Sequence, residues 1–172
     1  MPGDVPIPGS TRAKLIEAGM RQFSGSGYDA VEVDRVAEEA GVTVGALYHH
    51  FLSKKEFFGT LRDDLTRRVL DRTEAVAETM APRRAAKAAL LAAFDAVLRI
   101  GAGRLLTERD PRGGRDALAD YLAELAVQAG MSAPRVTGVV LAASLRAALD
   151  EALQNQEGGR EEARKALEGL LA

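Results

Sequence analysis

With 172 residues, 47% apolar and 28% charged, the chain can hold one sizeable core or a small domain joined to a larger one. The absence of cysteine removes disulfides, thiolate catalysis and Cys-based zinc sites, and it fits a reducing compartment. A net charge of −2 gives no general attraction for nucleic acid, so any DNA contact rests on a local basic face, and no run of about 18 apolar residues offers a membrane span.

Ala, Leu, Arg and Glu dominate, which points to an all-helical fold. Residues 1–9, rich in Pro and Gly without a signal pattern, read as a disordered lead-in. The first helix is expected from Ser10 or Thr11 to about Ser24, with Ile16, Gly19, Met20 and Phe23 on one buried face. Gly19 costs a helix about 1 kcal/mol against Ala, and close approach of a crossing helix would explain it. A second helix carries Val33, Val36, Ala37 and Ala40. Asp29 is its expected cap, with Glu32 three residues on and a Tyr28–Val33 staple, and Gly41 is its expected left-handed stop. Thr43 caps a third helix that ends by Phe51 or Leu52, with Val42 and Leu47 as its staple. Ser53 caps a fourth helix running to about Met80, with Glu56 completing S-x-x-E and Leu52 and Phe57 as staple. Pro82 marks a break. Helical patterns follow over 83–106, 115–129, 132–156 and 159–171, with a loop at 110–114. No internal repeat or strand candidate stands out.

Residues 34–51 read as two short helices joined by a tight turn, a helix-turn-helix whose second helix suits a DNA major groove. Phe23, Gly27-Tyr28, Val33, Ala37, Ala40-Gly41-Val42, Gly45, Leu47-Tyr48-His49-His50-Phe51 and Ser53-Lys54-Glu56 form a spaced set. On that set, residues 11–58 resemble the N-terminal DNA-binding domain of the TetR family of transcriptional regulators. The resemblance implies a bacterial cytoplasmic homodimer that binds a palindromic operator on double-stranded DNA, usually as a repressor released by a small-molecule effector, with no cofactor and no metal. After the disordered tail at 1–9, it implies a helix-turn-helix domain at 10–53, a connecting helix at 54–81, and a helical ligand-binding and dimerisation domain at 82–172.

By that match the recognition helix is 44–50. Thr43 and Tyr48 are phosphate candidates, Val44, Ala46 and His49 face the groove, and Gly45 and Arg35 complete the DNA-binding set. Lys54 and Lys55 stand in the first turn of a helix, where cations oppose the macrodipole, and a phosphate placed there would pair with Lys54. The alternative for Lys54 is a surface charge with its stem over Phe57 or Phe58; for Tyr48 it is core packing, and for His49 and His50 plain surface. The chain departs from the family at Val44 and Ala46, which can touch a thymine methyl but cannot hydrogen-bond a base edge. It departs again at Val31 and Glu32, where Glu32 would repel phosphate unless Arg35 neutralises it.

Farther on, 132–156 is apolar over more than one face, which fits contact with its own domain and with a partner. Val136, Val139, Val140, Leu149, Leu153, Leu167 and Leu170 are the dimer-interface candidates. Ligand candidates are Phe94, Leu98, Arg99, Tyr121 and Leu125, with Asp95–Arg99 and Arg146–Asp150 spaced as i, i+4 pairs. The rival reading keeps this fold with weak DNA binding, as a ligand-binding or protein-interaction module. An enzyme has no catalytic constellation or phosphate loop in its favour.

Overall fold

The computed structural model describes residues 9–155 and 158–171. The expected tail, apart from Gly9, lies outside the described residues, as do 156, 157 and 172. The described residues are all-helical, without a strand. The helices are α1 Thr11–Ser26, α2 Val33–Glu39, α3 Val44–Phe51, α4 Lys54–Ala77, α5 Pro82–Ile100, α6 Arg104–Thr107, α7 Ala117–Gln128, α8 Pro134–Gln154 and α9 Gly159–Gly169. None of the described helices is long and apolar enough to cross a membrane.

The N-terminal helices pack around an aromatic cluster. Phe23 meets Phe57 and Phe58 edge to face at 5.9 and 5.2 Å between ring centroids, and Tyr28 meets Phe58 at 5.1 Å. Gly19 lets α1 cross α4: a Cβ there would fall 2.9 Å from Leu61 Cδ1 and closer still to Phe57 Cζ. The second close crossing joins α7 to α8. At Gly138 a Cβ would lie 2.7 Å from Ala123 Cβ and nearer still to the carbonyl oxygen of Ala119. The body is completed by α4 against α5, and by α9 against α8 and α5.

Local chemistry explains most of the helix ends. Ser10 Oγ accepts the Ala13 N–H, Thr43 Oγ1 that of Ala46 and Ser53 Oγ that of Glu56. Gly41 takes φ +67°, and the Val42 and Gly41 N–H groups return to the Ala37 and Glu38 carbonyls, a closure that needs the left-handed residue glycine supplies.

Four expectations fail here. Asp29 does not cap α2; the capping position is Glu32, which makes no side-chain cap bond. The Leu52–Phe57 staple does not form, because Leu52 has φ 63° and its side chain is 81% exposed. The Ser53 N–H donates at 2.7 Å to the Phe51 carbonyl, closing a γ-turn centred on Leu52, so it is not held by the Glu56 side chain. Finally, α4 stops at Ala77, short of Met80, and Pro82 opens α5 as its first residue.

Candidate nucleic-acid interface

Helix α3 is two-faced. Leu47 and Phe51 turn inward and are buried, while Gly45, Tyr48, His49 and His50 are exposed and Val44 and Ala46 are half-buried. Tyr48 is 41% exposed, which removes it from the core. Thr43, just before the helix, spends an oxygen lone pair on the Ala46 N–H, which leaves its hydroxyl hydrogen able to donate elsewhere. The His49 and His50 rings meet edge to face at 5.5 Å. The outward surface is therefore polar-aromatic at its centre and apolar at its start. Arg12, from α1, stands over the Phe51 ring at 5.5 Å, at the end of α3.

Lys54 is the first residue of α4, and its ammonium lies 4.8 Å from the Tyr28 ring centroid and donates to the Asp29 carbonyl at 3.4 Å. The ring beneath it is Tyr28, where the alternative reading had Phe57 or Phe58 under the stem, because the 27–32 connection folds back over the start of α4. Backbone N–H groups at a helix start lack intrahelical acceptors. Those of Lys54 and Lys55 belong to residues that each carry a cationic side chain. At the start of α2, Arg35 Nε sits 3.4 Å from Glu32 Oε2, with both side chains mostly exposed. This pair offsets the Glu32 charge, while Val31 is buried in the core.

The ligand candidates differ in burial. Phe94 and Leu125 are buried core residues, Leu98 and Tyr121 are half-buried, and Arg99 is exposed. Burial, followed by the charges of Glu74, Glu78 and Glu124, raises the Tyr121 phenol above its ordinary range. Neither expected i, i+4 pair forms. Asp95 faces Arg164 of α9 at 3.4 Å, and Arg146 binds Asp116, while Asp150 accepts from Gln154. For Asp95 and Arg146, tertiary neighbours outcompete the neighbour one turn along.

A polar cleft absent from the sequence reading lies between α4, the α6–α7 connection and α8. Its volume is about 460 Å³, and Arg62, Asp110, Arg112, Asp116 and Arg146 are among its lining residues. Arg62 Nη1 donates to the Leu105 carbonyl and, at 2.7 Å, to the Glu108 carbonyl. Arg112 lies across Gly59 and bridges Asp63 and Asp110, and its guanidinium is held above its ordinary range by those carboxylates. Next to this cleft, the Glu108 carboxylate accepts the Tyr28 N–H at 2.7 Å, tying the body to the N-terminal helices. The lining comes from three separate chain segments, so no single local pattern announces it.

The α8 helix carries two apolar stripes. Leu141, Leu145 and Leu149 point into the body, whereas Val136, Val139 and Val140 are 62, 54 and 52% exposed. Leu170, just after α9, is 49% exposed and helps line a shallow apolar groove beside Ala147, Ala163 and Ala166. Leu149 and Leu167 were expected at the dimer interface, but both are buried in the subunit's own core. Leu153 is half-buried against Gly103 near α6.

Residues 15–61 match the family model of bacterial regulatory proteins, tetR family. The HTH-type transcriptional repressor AcnR of Corynebacterium efficiens is 36% identical over 66 residues, which is 38% of this chain and 34% of that protein. The chain thus spans about a third of the length of the curated relatives it matches. A TetR-like transcriptional regulator from Rhodococcus sp. RHA1 superposes with a TM-score of 0.70 at 19% identity, covering 98% of this chain and 96% of that one. The regulator FadR from Bacillus subtilis, solved with stearoyl-CoA, gives a TM-score of 0.66 at 17% identity over 93% of this chain and 97% of that one. At these identities the structural likeness concerns the fold.

Proposed function

Starting from a chain that carries the N-terminal domain of the tetR family of bacterial regulatory proteins, we propose that it is a cytoplasmic transcriptional repressor. It binds a palindromic operator as a homodimer and is released by a small molecule. The observation that carries this reading is the solvent-facing surface of α3, with Tyr48 and His49 exposed after the Thr43 cap, followed in the chain by Lys54 at the start of α4. Thr43, Tyr48 and Lys54 contact phosphates. Val44, Gly45, Ala46 and His49 approach the base edges, where the small apolar groups favour thymine methyls and DNA shape contributes the rest. Arg35 screens Glu32 at the DNA surface.

Dimerisation uses the outward stripe of α8 with Leu170 at the end of α9. Three valines half or more exposed on one face are costly in water, and a second copy packing the same stripe against itself would cover them. AcnR is named a repressor and FadR was solved with an acyl-CoA, which supports repression and a small-molecule effector without naming either for this chain.

Selection from random duplex DNA at fixed salt tests the reading. Enrichment of one palindrome, with thymines under Val44 and Ala46, is expected. Folded, dimeric protein that enriches no sequence would refute it and favour the ligand-binding or protein-interaction module.

A further inference from the structure

The cleft between α4, the α6–α7 connection and α8 holds an unusual pair of cations. The Arg62 side chain is 12% exposed, yet its ion-pair partner Asp110 stands 3.9 Å away, beyond hydrogen-bond reach. The hydrogen bonds that Asp110 accepts come from Arg112. Burial, and next the charge of Arg146, pushes the Arg62 guanidinium below its ordinary range, which puts Arg146 close enough for its charge to be felt. Arg146 binds Asp116 through Nη2. Each guanidinium carries five N–H donors, so both have donors left. A shielded guanidinium without a directly bonded carboxylate is costly, and an anion placed between the two would relieve it. Leu106, Ala117 and Leu118 add an apolar wall, and about 460 Å³ lies within the usual range of small-molecule sites.

We propose that this cleft binds a small organic oxyanion, a carboxylate or a phosphate monoester with a short apolar body, its head between Arg62 and Arg146. The proposal rests on the reading that a small molecule controls this protein, and it gives that molecule a place and a chemical class. It also supplies a route to the DNA-binding helices. Arg62 holds the Leu105 and Glu108 carbonyls, and the Glu108 carboxylate holds the Tyr28 N–H. An anion that draws Arg62 towards it pulls on the segment to which Tyr28 is tied.

The test is titration calorimetry on the full chain with sodium octanoate, octyl phosphate and uncharged octanamide at one salt concentration. One acid is expected to bind once per chain, with octanamide about tenfold weaker or worse. The tighter of the two acids identifies the headgroup. Arg146→Gln should weaken the acid by about tenfold, since a charged hydrogen-bond donor is lost. Asp116→Asn should tighten it, because Asn still caps α7 while Arg146 is freed from its competitor. Binding of neither acid, equal binding of the amide, or full affinity in Arg146→Gln would overturn the proposal. The DNA selection on the same preparation separates the two readings. An operator without acid binding removes the cleft proposal alone, and acid binding without an operator removes the repressor reading alone.

Discussion

Removing the Glu108 carboxylate should loosen the N-terminal helices from the body. In Glu108→Ala the Tyr28 N–H loses its 2.7 Å acceptor, a charge-assisted bond joining residues 80 apart in sequence. Hydrogen bonds to charged groups contribute about 1.5–3 kcal/mol. Tyr28 is half-buried, so water can reach part of the vacated site, and the lower end, about 1.5 kcal/mol, applies. For a chain of this size that is a fall in Tm of roughly 3–6 °C. Glu108→Gln keeps a carbonyl acceptor without the charge and should lose about half as much. Thermal and urea denaturation of the two variants and the parent measure this directly. A Glu108→Ala protein as stable as the parent, or a Gln variant as damaged as the Ala variant, would refute the reasoning.

Four further outcomes follow from the geometry. Gly19→Ala should destabilise by about 1–2 kcal/mol in urea unfolding, because the clash with buried Phe57 exceeds the gain in helix propensity; an unchanged midpoint would mean that Phe57 yields. Leu52→Gly should raise Tm by about 1–3 °C, since the strain of a positive φ outweighs the added freedom of the unfolded chain and the lost side chain is exposed; a lower Tm would count against the strained turn. Lys54→Ala should weaken binding to all duplexes and reduce the salt slope by about one, whereas an unchanged slope would remove Lys54 from the phosphate contacts. Burial raises the Asp110 carboxyl, but bonds from Arg112 and the charge of Arg62 outweigh it, so its folded value is depressed. Its contribution is then present above the unfolded value of about 3.9 and lost as pH falls through the folded one. The stability gap between the parent and Asp110→Asn should therefore close on acidification below about pH 4, and a gap that persists unchanged to pH 2 would contradict this.

Features set by a few neighbouring residues were legible in the sequence. Thr43 and Ser53 as caps, Gly41 as the left-handed stop and Gly19 as a crossing point all follow from chemistry confined to one or two turns. The two-faced character of α8 was also readable. Which face looked inward was not, and so Leu149 and Leu167 were assigned outward although both are core. Helical spacing gives Asp95 and Arg146 partners one turn away, but packing brings Arg164 and Asp116 closer. The Leu52 staple failed because a positive φ swings the side chain outward, and hydrophobicity does not report φ. The cleft joins Arg62, Arg112 and Arg146, which are brought together by packing alone.

The glycine contact between α7 and α8 divides the molecule mechanically. Where Gly138 lies against the Ala119 carbonyl, the two backbones pack with no side chain between them, so the two helices are expected to move as one plate. That plate bears the exposed valines. The attachment beside the cleft is softer: Glu108 on Tyr28 and Arg62 on two carbonyls are single polar tethers that can lengthen or exchange partners. A force applied in the cleft should therefore leave the valine-bearing plate nearly undistorted and be taken up on the side of α4 and the N-terminal helices, turning a small displacement into a change of tilt at α3.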